Sequence, residues 1–242
     1  MTDFESTHRT PGPERYGRLR VRTADLSPAD WLAERRPGSG RFGTVGGVTA
    51  PGFAAYARIL HPAYLDEQPV RWESVGAAYG RTPSGTRPWH DLLGVTRDES
   101  YGGDLHLPGV WDAPPDEGPT PGHVARALVP VLTRHTGTPD RCWYALWEGY
   151  GRWDWDAVPR FETPHRDRVL MSGTLADSVS PHSLDPHAEL PDLWWPEDRA
   201  WCVGGDTDLK STYVGGSEDL IADLLAAPAL EAHRVTETDL LD

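Results

Sequence analysis

The sequence predicts an α+β fold, a largely antiparallel sheet packed by three to four helices in a single domain with an N-terminal arm. Three observations lead there. Helical periodicity is confined to a few segments, chiefly near residues 120–135 and 217–226. Short stretches rich in Trp, Tyr and Val gather in the second half, separated by turn-forming pieces that favour antiparallel connections. Gly and Pro together make about a fifth of the 242 residues, enough for many turns and too few for a low-complexity chain.

Residues 1–22 read as an Arg-rich arm, in which Leu19 and Val21 alternate with Arg18, Arg20 and Arg22 as in a short strand. The single domain spans 23–235 and an acidic tail spans 236–242. Ser27-Pro28-Ala29-Asp30 signals a short helix, with Ser27 as N-cap and Pro28 at the first position, ending by Arg36. Gly52 to Leu60 reads as a strand. Pro69 to Ala78 reads as a helix with Val70, Trp72, Val75 and Ala78 on one side and Gly80 as its stop. Residues 81–119 are rich in Gly and Pro, either one long functional loop or a string of short elements pinned by Trp89 and Trp111. Thr120-Pro121 opens a helix through Val124, Leu128, Val131 and Leu132, strained by Pro130 and closed by Gly137. Strands follow at Arg141–Trp147, Arg168–Ser172, Trp201–Gly204 and Asp208–Val214. Gly215-Gly216 then turns the chain into a helix capped by Ser217, with Glu218 and Asp219 in its first turn and Leu220, Ile221, Leu224 and Leu225 as its buried stripe.

Charge and hydropathy exclude several classes. The 37 acids against 23 bases give a formal net charge of −14, and mean hydropathy is −0.53. Residues 1–41 carry 8 Arg against 6 acids, a local +2 that leaves −16 on the remainder. Such a body opposes nucleic-acid binding, which needs positive surface to displace counterions. No apolar run approaches the ~20 residues that span a bilayer, and residues 1–10 do not form a secretory signal. The chain is expected in the cytoplasm, where Cys142 and Cys202 serve as small buried residues. Of the 23 bases, 22 are Arg and one is Lys210, as coding in a GC-rich genome produces.

Three runs are distinctive: Gly52-Phe53-Ala54-Ala55-Tyr56-Ala57-Arg58-Ile59-Leu60-His61-Pro62; Ala145-Leu146-Trp147-Glu148-Gly149-Tyr150-Gly151; and Pro191-Asp192-Leu193-Trp194-Trp195-Pro196-Glu197-Asp198-Arg199-Ala200-Trp201-Cys202-Val203, followed by Asp206 and Asp208. Over roughly residues 45–235 the chain resembles a family of uncharacterised actinobacterial proteins. That resemblance implies a cytosolic protein and carries no assigned activity.

Familiar catalytic patterns are missing. There is no Gly-x-Ser-x-Gly elbow, no Cys-x-x-Cys pair and no His-Glu-x-x-His motif. His182 and His187 around Asp185, and Asp104 with His106, are short clusters of a kind that arises by chance. No metal or cofactor is expected. Asp206 and Asp208 could offer oxygens to a hard cation, or simply end a strand. The aromatic turn Trp147-Glu148-Gly149-Tyr150-Gly151-Arg152-Trp153-Asp154-Trp155 and the pair Trp194-Trp195 combine large rings with charges, as binding surfaces do. The same rings could fill a core short of Phe and Met. The candidate site residues are therefore Trp147, Glu148, Arg152, Trp153, Trp155, Trp194, Asp206 and Asp208. Glu148, if buried, would need a partner such as Arg152 or Arg199.

The functional expectation is a non-enzymatic acidic binding protein, immunity-like or neutralising, that engages a basic protein partner. The alternative is an enzyme acting on a small molecule in a Trp-lined cleft, with Glu148, Asp206 or Asp208 as acid, base or metal ligand. Convergence of those carboxylates with a histidine in one pocket would favour the enzyme.

Overall fold

The computed structural model describes residues 10–35, 43–101, 105–163, 166–185 and 188–241. In chain order its strands are β1 (Thr10–Pro11), β2 (Arg15–Tyr16), β3 (Leu19–Val21), β4 (Ala55–Leu60), β5 (Ala63–Leu65), β6 (Gln68–Val70), β7 (Cys142–Trp147), β8 (Trp153–Asp154), β9 (Arg160–Thr163), β10 (Arg166–Gly173), β11 (Leu193–Pro196), β12 (Cys202–Gly204), β13 (Ser211–Gly216) and β14 (Ala232–Val235). The α-helices are α1 (Asp30–Arg35), α2 (Val45–Val48), α3 (Trp72–Ala78), α4 (Trp89–Leu93), α5 (Arg97–Ser100), α6 (Gly122–Arg134), α7 (Ser180–Leu184) and α8 (Glu218–Ala226).

Ten strands form one sheet, in the order β14-β4-β13-β12-β11-β7-β10-β3-β2, with β9 beside β3 on the outer flank of β10. Its pairings are all antiparallel, as the turn-rich sequence between strands predicts. Two small ribbons stand apart from it: β1 with β8, in parallel, and the β5–β6 hairpin. The fold is thus the α+β class expected, with more helices than the three or four foreseen, because α2, α4, α5 and α7 are single turns.

Side-chain alternation sends each strand's residues to two faces, and both are covered. On one face Tyr144, Leu146, Val169, Met171, Trp194, Val203 and Val214 pack against Val124, Leu128 and Leu132 of α6 and Leu220, Ile221 and Leu224 of α8. On the other, Ala145, Leu170, Leu193 and Trp195 pack against Trp31 and Leu32 of α1. A satellite cluster of Trp72, Trp89, Trp111, Leu92 and Leu93 sits beyond the end of β4, with the Trp89 ring 5.0 Å from that of Trp72 and 5.3 Å from that of Trp111. The described residues of 81–119 are therefore a string of short elements pinned by tryptophans.

Several expectations are corrected. Ser27 begins a 3-10 turn instead of capping it, because its hydroxyl is drawn to Asp25, 2.6 Å away. Pro69 lies in β6, and α3 starts only at Trp72, whose N–H donates to Glu231 from 159 residues away. Pro130 lies inside α6, but the helix ends at Arg134 with His135 as its C-cap, and Gly137 donates its N–H to Asp198 instead. Gly215 and Gly216 belong to β13: a Cβ on either would lie 2.6 Å or less from Phe53 or Leu220. Ser217 does cap α8, accepting from the Leu220 N–H at 3.2 Å. The arm is bound in from Thr10 onward, as β1, β2 and β3. The tail is also docked: Glu237 accepts from Gly52 N–H and Tyr56 OH, and Leu241 N–H donates to Gly43. Strands β11 and β14 were not foreseen. Among the described residues no helix is long and apolar enough to cross a membrane.

Candidate functional site

The strand pair β7–β10 ends in a charged cluster. Register places Arg168 opposite Trp147, and alternation puts Arg166, Arg168 and Leu170 on the α1 face. Beyond the covered part of that face, the two arginines meet Asp192, which precedes β11, and Asp206, which follows β12. The backbone holds both acids there: Asp192 N–H donates to Ala145 O at 2.8 Å, and Gly205 N–H donates to Asp192 O at 2.8 Å.

Arg168 and Asp192 are 4% and 2% exposed, and Arg168 Nη1 lies 2.7 Å from Asp192 Oδ2 as an ion contact. Asp192 also accepts from Trp147 N–H and from Tyr150 OH, each at 2.6 Å. Burial pushes the Asp192 carboxyl up, while Arg168, the Tyr150 hydroxyl and the Trp147 amide pull it back. Burial likewise pushes the Tyr150 phenol far up, so that it remains a donor. Arg166 reaches Asp206 through Nη2 at 2.8 Å and Nε at 3.2 Å, a two-pronged contact, and Asp208 at 3.2 Å. Its guanidinium lies 4.2 Å from the centre of the Trp147 ring.

Three of the expected residues, Trp147, Asp206 and Asp208, are thus brought together. Glu148 lies next to them but pairs with Arg160, not with Arg152 or Arg199. Arg152 pairs with Asp185 and lies 5.7 Å from the half-buried Trp153 ring. Trp155 and Trp194 are corrections, since both are buried. Trp155 packs against Gly12, and Trp194 donates to Pro191 O at 2.6 Å on the opposite face of the sheet. Neither presents its ring to a partner. Arg166, Arg168, Asp192 and Tyr150 were missed, because a strand arginine and an acid before Leu193 become neighbours only through strand pairing.

No histidine takes part in these contacts, and each of the three proposed carboxylates is answered by an arginine. Two histidines meet elsewhere. A cleft of about 460 Å³ is lined by Tyr64, Asp116, His123, His182 and Glu189 among others, and Tyr64 OH donates to Asp116 at 2.6 Å. Burial lowers the His123 imidazole there. Cys142 is buried and its thiol is pushed up to about 12, which leaves it a packing residue. Asp104 and His187 lie outside the described residues. Among the described residues no group of three His, Cys, Asp or Glu is placed to hold a metal ion. Comparison with family models, with curated proteins and with solved structures gives no match, so the arrangement of this chain's own residues carries the functional argument.

Proposed function

We propose that this chain is a non-enzymatic binding protein that engages a basic protein partner, in a neutralising or immunity-like role, through the aromatic turn between β7 and β9. The observation that carries the reading is the state of that turn. Trp147, Trp153 and Phe161 stay half-buried in and beside it, and Asp156, Glu162 and Asp208 are exposed. Its stem is held rigid by the buried Arg168–Asp192 contact. Rigid, partly exposed rings in an acidic setting supply anchor and steering together. The enzyme alternative needs an acid or base free to exchange protons, and Glu148, Asp206 and Asp208 are each held by an arginine.

The test is quantitative capture of partners from the source organism with wild-type protein and with Trp147→Ala and Trp153→Ala. The expected partner is basic, binds less tightly as salt rises, and loses at least about tenfold in affinity with Trp153→Ala. Retention of the same proteins by both variants would overturn the assignment.

A further inference from the structure

At its other end the same strand pair leaves its arginines unanswered. One cross-strand row runs Trp195–Trp143–Ser172–Arg20–Arg15 over β11, β7, β10, β3 and β2. Helix α1 covers only its beginning, where the Trp31 ring lies 6.1 Å from that of Trp195. The rest borders a groove of about 470 Å³, lined by Arg15, Arg18, Arg20 and Arg141, with Trp143, Ser172 and Thr174 beside them. All four arginines are exposed, and none forms an ion pair with another described residue. Arg15 donates only to the Arg18 carbonyl.

This placement is electrostatically costly. Arg15 and Arg20 are direct cross-strand partners, and like charges so placed repel. A fifth arginine, Arg22, lies 5.7 Å from the Trp143 ring centre, and its Nε is buried without a hydrogen-bond partner. Three acids also line the groove. Asp177 is engaged by Thr174 N–H at 3.0 Å and Oγ1 at 2.8 Å, and Glu197 by Trp143 Nε1 at 2.5 Å, while Asp140 is exposed. The lining carries four arginines against three acids, and Arg22 adds a further positive charge beside Trp143. A phosphate monoester, which carries about −1.5 to −2 at neutral pH, answers that positive surplus.

We propose that this groove binds the phosphate of a small phosphomonoester, with Arg15 and Arg20 as its principal ligands. The forked guanidinium suits phosphate oxygens, and the volume fits a small organic molecule and not a long chain. The site is independent of the aromatic turn, at the opposite end of β7.

Binding is measured on the full chain by calorimetry and thermal shift at constant ionic strength, with glycerol phosphate, inorganic phosphate, citrate and a phosphoserine peptide as probes. The expected result is saturable stabilisation by glycerol phosphate and by inorganic phosphate. Arg15→Gln/Arg20→Gln should weaken it at least about tenfold, for loss of charge-assisted hydrogen bonds. The ligand-free double variant should melt no lower than wild type, since it removes a repulsion, which separates lost binding from lost folding. An unresponsive wild type, a response that survives the double variant, or equal stabilisation by citrate would each overturn the proposal. So would binding of the phosphopeptide alone.

Discussion

The two ends of β7–β10 carry the same residue type in opposite electrical states. At the Trp147 end, Arg160, Arg166 and Arg168 are matched by Glu148, Asp206, Asp208 and Asp192. At the Trp143 end, roughly 13 Å along the strand, Arg15, Arg18, Arg20 and Arg141 face a groove with no ion pair among the described residues. For Arg166 and Arg168 the difference follows from burial. An arginine taken out of water needs a carboxylate, because an uncompensated buried charge costs several kcal/mol. An arginine left in water does not, and remains available to a ligand. Saturated arginines therefore hold the fold, and unsaturated ones leave positive charge at the surface.

The sharpest way to break this contrast is Asp192→Ala. It strips the partner from Arg168 and leaves the Tyr150 hydroxyl and the Trp147 amide without their acceptor. The expected loss is about 3–5 kcal/mol of unfolding free energy in urea denaturation. A loss under about 1 kcal/mol would mean that water reaches the cluster and that both ends are alike.

Arg166→Ala sharpens it further. Arg166 is partly exposed and bonds Asp206 with two prongs, so the expected cost is about 1–2 kcal/mol. Arg18→Ala at the other end should change stability by no more than about 0.5 kcal/mol. Equal costs at the two ends would erase the distinction.

The smallest effect concerns pH. Burial lowers both His123 and His233, the latter paired in register with Arg58, which lowers it further. Glu73 near His233 and Asp116 near His123 oppose that shift, while Arg126 and His182 reinforce it at His123. A histidine with a folded pKa below its unfolded value, about 6.5, contributes stability that is fully present above that value. The contribution is lost as pH falls through the folded pKa, since the unfolded chain takes up protons first. Melting temperature should therefore drop between pH 7.5 and 5.5, and His123→Gln with His233→Gln should flatten the slope. An unchanged slope would show that the two imidazoles titrate alike in both states.

Much of the scaffold was legible because it depends on local chemistry. The α8 helix announces itself through Ser217, the acids of its first turn and a stripe at spacings of three and four. The strand Cys142–Trp147 and the Val169–Met171 centre of Arg166–Gly173 are apolar stretches that suit a buried sheet. The Trp194-Trp195 strand was hidden because Pro191 and Pro196 mimic a turn, although both rings lie in the centre of the sheet. Trp147, Asp206 and Asp208 could be picked out by residue type alone; their dependence on Arg166 could not.

By itself the sequence determined composition, charge sign, the periodic segments and the residue types from which a site could be made. Tertiary structure alone decided which arginines are neutralised. That choice depends on strand register and on burial, both set by residues 20 to 150 positions apart in the chain, and no local pattern encodes the free-energy cost of removing a given charge from water.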